Sequence, residues 1–277
     1  MRYVYFTHQQ KSVLGVQTAE GTKILGEESL DSLLSRGVDL VRYGAEGHGE
    51  TVNPDENSYL PVLTRPGKII CVGLNYADHT SESPYAQPTY PTVFPRFNSS
   101  LLAHNQPIIL PKLSDSLDYE GELAVILKSG GRYITAEEAL DCVAGYALFN
   151  DASVREYQFI TPQWTVGKNF DATGAFGPEL VTADELPRGA KGLRLETRVN
   201  GNVVQSASTD DMLFDVATLI STLSEAITLE AGDVIVTGTP AGVGFGMNPK
   251  SYLKEGDIVE VSVEQIGTLR NPVALEK

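Results

Sequence analysis

The stretch Leu117-Asp118-Tyr119-Glu120-Gly121-Glu122-Leu123-Ala124-Val125-Ile126-Leu127 decides how the chain is read. Its second half is an uninterrupted β-prone apolar run, which predicts a strand. In a strand, side chains two apart share a face, so Glu120 and Glu122 project side by side, with Asp118 next along that face. Neighbouring carboxylates repel, and burying them costs free energy unless positive charge lies between them. A hard divalent cation with oxygen preference supplies that charge. On its own the stretch reads equally well as a solvated edge strand with acidic decoration, so the surrounding sequence has to choose.

The nearest support is downstream. Val143-Ala144-Gly145-Tyr146-Ala147-Leu148-Phe149 is a second apolar strand, and it delivers Asn150 and Asp151 at its end. A lone strand-end aspartate is usually a turn former. Beside Glu120 and Glu122, Asp151 becomes a third oxygen ligand, an arrangement suited to Mg²⁺ or Mn²⁺, with Ca²⁺ as an alternative occupant. Zinc prefers His and Cys ligands, and this chain offers only four histidines (His8, His48, His79 and His104) and two cysteines. Cys71 and Cys142 lie in apolar runs and read as buried free thiols.

The whole-chain totals narrow the function classes. A length of 277 residues can bury a full core, and 42% hydrophobic with 21% charged residues is ordinary for a globular protein. The net charge of −15 argues against nucleic acid and anionic membrane surfaces as partners. A small anionic substrate remains compatible, because a bound cation reverses the local field. The N-terminus lacks the apolar segment of a secretion signal, and no run approaches transmembrane length, so the expected compartment is the cytoplasm.

Two units are expected. Residues 1–65 read as a small β-rich N-terminal domain: short strands near Tyr3–Phe6, Val13–Gln17 and Thr22–Leu25, then a helix over Leu30–Leu40 capped by Ser29 or Asp31. Residues 66–277 read as the catalytic domain, strand-rich with few helices. Within it Thr135 heads a capping box with Glu138. Asn200-Gly201 turns a hairpin, and Phe214–Leu223 is the clearest amphipathic helix. The overall class is mixed α+β.

Three further motifs carry chemistry. His79 and Glu82 are one helical turn apart, so the carboxylate can orient the imidazole as a base. Lys168 is by default a solvated lysine, but facing a metal-bound anion it becomes an electrostatic clamp. The glycines from Gly238 to Gly246 fail as a nucleotide loop: no Gly-Lys-Ser/Thr is present and no helix follows. They fit better as a pocket wall lined by backbone N–H groups. Ser251-Tyr252-Leu253-Lys254 matches a hydrolase spacing with nothing to support it.

Taken together, five ordered segments resemble the fumarylacetoacetate hydrolase family over about residues 68–272. They are Val72–His79 with Glu82, Asp118–Leu123, Asn150–Gln158, Lys168–Asp171 with Gly177-Pro178, and Gly238–Gly244. The resemblance implies a mixed β-sandwich roll, a homodimer, and one divalent metal per subunit held by Glu120, Glu122 and Asp151. It implies a His79–Glu82 catalytic dyad on a segment that orders with substrate. Gln158 and Lys168 would contact the reacting oxygens, and Thr239 would lie at the pocket wall; Asp118 flanks the ligand set. The chain departs from the family pattern at Phe94-Pro95-Arg96 and at Ala103-His104-Asn105-Gln106. Both are expected to border the pocket, with Arg96 contacting substrate and Ser83–Pro91 and His104 helping to select it. The leading expectation is hydrolysis of a carbon–carbon bond in an acylpyruvate-like 1,3-diketo acid. The alternative is decarboxylation or tautomerisation of oxaloacetate, or a related lyase or hydratase reaction on a small 2-oxo acid.

Overall fold

The computed structural model describes residues 1–81 and 86–277. The strand Gly121–Leu127 runs through the middle of an 11-stranded sheet. It pairs antiparallel with Val143–Asp151 on one side and with Val234–Val236 on the other. All eleven residues from Leu117 to Leu127 are buried, which rules out a solvated edge. The predicted single strand is interrupted: Leu117–Asp118 forms its own two-stranded ladder with Ser153–Val154 before the main strand starts at Gly121.

Alternation along Gly121–Leu127 explains why its sequence is apolar on both faces. Leu123, Val125 and Leu127 enter one core with Leu195, Val261 and Leu269 of a five-stranded sheet. The helix Val216–Ala226, capped by Asp215, closes the same core through Leu219, Ile220 and Leu223. Ala124 and Ile126 enter a second core with Leu30, Leu33, Phe94 and Trp164. Glu122 shares the face of Ala124 and Ile126, so its carboxylate opens toward the second core.

The first 65 residues are β-rich as expected, but they do not build a sheet of their own. Arg2–His8 pairs antiparallel with Gly174–Thr182, and Lys11–Thr18, Gly21–Gly26 and Thr51–Val52 extend the same large sheet outward. The second core also mixes Tyr3 and Leu14 with Cys71 and Phe149, so the two segments share packing. The expected helix over Leu30–Leu40 divides into Leu30–Ser35 and Leu40–Ala45, capped by Ser29 and Asp39. Gly37, at φ +67°, stops the first helix: its N–H donates to Leu34 O and that of Val38 to Leu33 O, the pattern of a left-handed glycine cap. Thr135 caps its helix through the Glu138 N–H. The Asn200-Gly201 turn joins two antiparallel strands, with both residues at positive φ. Cys71 is buried and Cys142 half-buried, both free. No helix among the described residues is long and apolar enough to cross a membrane.

Candidate active site

Strand register builds the floor of the site. Gly121 stands opposite Asn150, and the Asp151 N–H donates to Glu120 O at 2.9 Å, so Glu120 and Asp151 meet across the ladder. Glu122 follows Glu120 on the same face. Ligand oxygens of Glu120, Glu122 and Asp151 lie within 4.8 Å of one another, and all three residues are buried.

The cations around them are shared unequally. Lys168 Nζ donates to Glu120 Oε2 and to Asp151 Oδ2, each at 2.7 Å. Arg155 Nη1 donates to Glu120 Oε1 at 2.6 Å, and its Nε to Asp118 Oδ2 at 2.8 Å. Arg96 Nε donates to Asp151 Oδ1. Among the described residues, Glu122 receives only the Gly238 N–H, at 2.5 Å. Burial pushes the Glu120 carboxyl up, but Lys168 and Arg155 outweigh it and hold the group at about 2. Burial also pushes up Glu122, and there the neighbouring Asp151 and Glu120 charges add to it, leaving it well above the usual carboxylate range. Lys168 stays a cation: burial lowers its pKa, and Asp151 and Glu120 more than restore it.

Among the described residues the site therefore holds four carboxylates, counting Asp118, against three Lys and Arg cations, and the shortfall falls on Glu122. A divalent cation fits this donor set. It would supply the missing charge among three carboxylates, an all-oxygen ligand set among the described residues.

Above the floor, one cavity is lined by His79, Glu120, Glu122, Gln158, Lys168 and Thr239, together with an aromatic rim. The structure thus brings together the predicted ligands, His79, Lys168, Gln158 and Thr239. Glu82 lies outside the described residues, as do residues 83–85 of the segment expected to select substrate. Gln158 Oε1 accepts from Arg155 Nη1 at 2.8 Å, which orients its amide.

Two predicted substrate contacts lie elsewhere. Arg96 does not line the cavity. Its guanidinium is buried beneath the floor, donating to Asp151, to Ala152 O at 2.5 Å, and to Ser100 and Thr173 hydroxyls. A cation desolvated this far is paired to positional partners, so it fixes Asp151 and leaves nothing for substrate. His104 is also outside the cavity: its Nδ1 accepts from the Arg270 N–H at 3.1 Å and its ring packs edge-on against Tyr59.

Several contributors were not legible as such. Arg155 lines the cavity with Nη2 buried and without a partner among the described residues, and the sequence offers only its place in the Asn150–Gln158 segment as a pointer. Asp118 lies outside the three-carboxylate cluster. Its carboxylate accepts the Gly244 and Phe245 N–H groups at 2.8 Å each, tying the glycine segment to the floor. A Cβ on Gly244 would lie 1.9 Å from Ser251 O and 2.7 Å from Asp118 Oδ1, which is why glycine stands there. Gln205, on the hairpin strand Asn202–Ser208, is 1% exposed. Its Oε1 accepts the Gly121 N–H at 3.0 Å, and its Nε2 donates to Thr239 Oγ1 and Pro240 O at 2.8 Å. Thr239 Oγ1 in turn donates to Gly121 O at 3.0 Å. Gln205 and Thr239 thus clamp the peptide between the two glutamates from both sides.

A family model described as fumarylacetoacetate hydrolase C-terminal matches residues 68–274. The chain belongs to the fumarylacetoacetate hydrolase family. Among its relatives, a mitochondrial oxaloacetate tautomerase of Rattus norvegicus is 35% identical over 99% of this chain and 91% of that protein. The structure of a fumarylacetoacetate hydrolase from Exiguobacterium antarcticum matches with TM-score 0.87 and 39% identity, covering 100% of both chains. That of a maleylpyruvate hydrolase from Sphingobium, in complex with manganese(II) and pyruvate, matches with TM-score 0.79 and 25% identity, again over 100% of both chains. The family's strand-rich mixed α+β fold, with a β region at its N-terminus, extends over the full chain.

Proposed function

We propose that this enzyme of the fumarylacetoacetate hydrolase family interconverts the enol and keto forms of a small 2-oxo acid, with Mg²⁺ or Mn²⁺ held by Glu120, Glu122 and Asp151. This reverses the order reached from sequence, which put carbon–carbon hydrolysis first. The observation that carries it is the undercompensated Glu122 inside a cavity that also presents His79. The tautomerase relative aligned over 99% of the chain favours enol–keto exchange over hydrolysis.

A divalent cation there would supply positive charge opposite the substrate's carboxylate and 2-oxo oxygens, lowering the cost of negative charge on the latter. The chain's own residues do the rest. Lys168, held protonated by two carboxylates, adds fixed positive charge at the floor, and the Gln158 amide is oriented to donate. His79 relays the proton: it accepts the enol O–H proton as the C2–O bond gains double-bond character, and the electron pair of C2=C3 takes up a proton at C3. No water is consumed, and the apolar rim limits its access.

Hydrolysis of an acylpyruvate-like diketo acid is the second reading, supported by the likeness to the maleylpyruvate hydrolase. There His79 would take a proton from water instead. Incubating the Mn²⁺-loaded protein with enol oxaloacetate and with an acylpyruvate separates the two. The proposal expects rapid loss of enol absorbance without CO₂ or released acid. Release of CO₂ from the first, or of a carboxylic acid from the second at higher efficiency, contradicts it. The homodimer implied by family resemblance is proposed on that ground alone, and light scattering tests it.

A further inference from the structure

The carboxylates and the lysine and arginine that line the cavity, Glu120, Glu122, Arg155 and Lys168, sit together in one ion-paired cluster. The cavity's rim is formed by Phe94, Phe159, Trp164 and Phe245, with Leu74 and Val243 between them. Phe94 and Trp164 meet edge to face with ring centroids 5.6 Å apart, and Phe159 and Phe245 tilt together at 4.9 Å. Gly73 makes room for this wall, since a Cβ there would lie 2.3 Å from the Trp164 ring. Beyond the wall a surface groove reuses Leu74, Phe94, Phe159 and Trp164 and continues over Val93 and Ile160, which are 42% and 69% exposed. No charged residue among the described residues lines that groove.

Among the described residues, the cations near this rim that could receive a second substrate carboxylate are Arg155 and Lys250. Lys168 is committed to Glu120 and Asp151, and Arg155 to Asp118, Glu120 and Gln158. Arg155 Nη2 is buried with no partner among the described residues, and its guanidinium, 6.0 Å from the Phe245 ring centroid, is anchored to Glu120 through Nη1, so it is the cavity cation with a buried donor left for substrate. Lys250 sits 4.0 Å over the Phe245 ring, exposed and outside the cavity lining.

We propose that the second recognition element is apolar: the cavity selects 2-oxo acids bearing an aryl or branched-alkyl group on C3, ahead of dicarboxylates such as oxaloacetate. This rests on the tautomerase reading above and names its substrate class. The aromatic rim gains by covering an apolar group and loses by desolvating a carboxylate. Enol–keto exchange is the same step for both, with one proton leaving oxygen and one arriving at C3, so no further reactant is needed.

The test compares phenylpyruvate, 4-methyl-2-oxopentanoate and oxaloacetate on the Mn²⁺-loaded protein. Tautomerisation of phenylpyruvate is expected to exceed that of oxaloacetate by about tenfold or more in kcat/KM. Trp164 is the single tryptophan of the chain, so its emission reports occupancy directly. It is expected to respond to 4-methyl-2-oxopentanoate at lower concentration than to oxaloacetate. Phe159→Arg and Phe245→Lys each place a cation at the rim and should shift the preference toward oxaloacetate. Oxaloacetate turning over at least as well as phenylpyruvate, with Trp164 responding to it first, overturns the inference. No turnover of any substrate overturns the tautomerase reading, while the order of the Trp164 responses still decides the rim's preference.

Discussion

At the floor of the cavity, Glu120, Glu122 and Asp151 are placed by the register of central strands, and among the described residues three Lys and Arg cations meet four carboxylates. At the rim, Phe159 and Phe245 come from a loop and a single 3-10 turn, and the polar atoms holding that turn are backbone N–H groups reaching down to Asp118. The floor is built to hold charge in fixed places and therefore sits on paired backbone. The rim is built to present shape, with Phe159 and Phe245 outside the ladder and Phe94 on the sheet strand Thr92–Arg96. Chemistry and selectivity thus rest on separable parts of the molecule, joined by Asp118, Arg155 and the 4.9 Å approach of Lys168 Nζ to the Phe94 ring.

That separation can be broken by substitution, and the largest effect belongs to the floor. Glu122→Gln should reduce turnover of every substrate by more than the roughly 10–100-fold typical of changes outside a ligand set. Equal activity in steady-state assays would end the distinction. His79→Ala comes next, lowering kcat by about 10²–10⁴-fold while leaving Mn²⁺ affinity unchanged. Loss of Mn²⁺ binding in that variant would move His79 from proton relay to structural support.

Gln205→Leu tests how far the floor extends. Removing the amide unseats the Gly121 peptide between the two glutamates, so Mn²⁺ affinity should fall about 10–100-fold. Thermal stability should fall by about 1–3 kcal/mol for the buried polar groups left unpaired. Restoration of Mn²⁺ affinity by Gln205→Glu would contradict the clamp, since a carboxylate cannot donate to Thr239 and Pro240.

The smallest effect is on stability against pH in metal-free protein. Glu122 has a raised pKa in the folded chain, so its contribution is fully present below the unfolded value near 4.5 and is lost as pH rises above it. As pH rises above the unfolded value the metal-free Tm should therefore decline. Mn²⁺ at about 100 times its Kd should offset the decline and add about 2.7 kcal/mol. In Glu122→Gln this group's contribution to the slope should vanish, and a slope unchanged by that substitution would show that another group sets it.

The same contrast explains what could be read from sequence. Period-two spacing and a strand-end position located Glu120, Glu122 and Asp151, because register follows from local pattern. Thr135 and the Asn200-Gly201 turn were legible for the same reason: each acts on its own neighbourhood. Arg96 was misplaced because a cation in sequence shows its charge but not its partner, and this one is spent on Asp151 from 55 positions away. Gln205 carries no local signal, since its importance comes from three contacts with segments distant in the chain. The continuity of the N-terminal strands with the main sheet depended on the long-range pairing of Arg2–His8 with Gly174–Thr182, which no local spacing encodes.

Equilibrium Mn²⁺ binding, followed by the loss of the free-ion electron paramagnetic resonance signal, tests the central claim most directly. The account predicts one tight Mn²⁺ per chain in the unaltered protein, and loss of that site in Glu122→Gln with circular dichroism unchanged. Absence of Mn²⁺ binding in the unaltered protein, or undiminished affinity in Glu122→Gln, would contradict it.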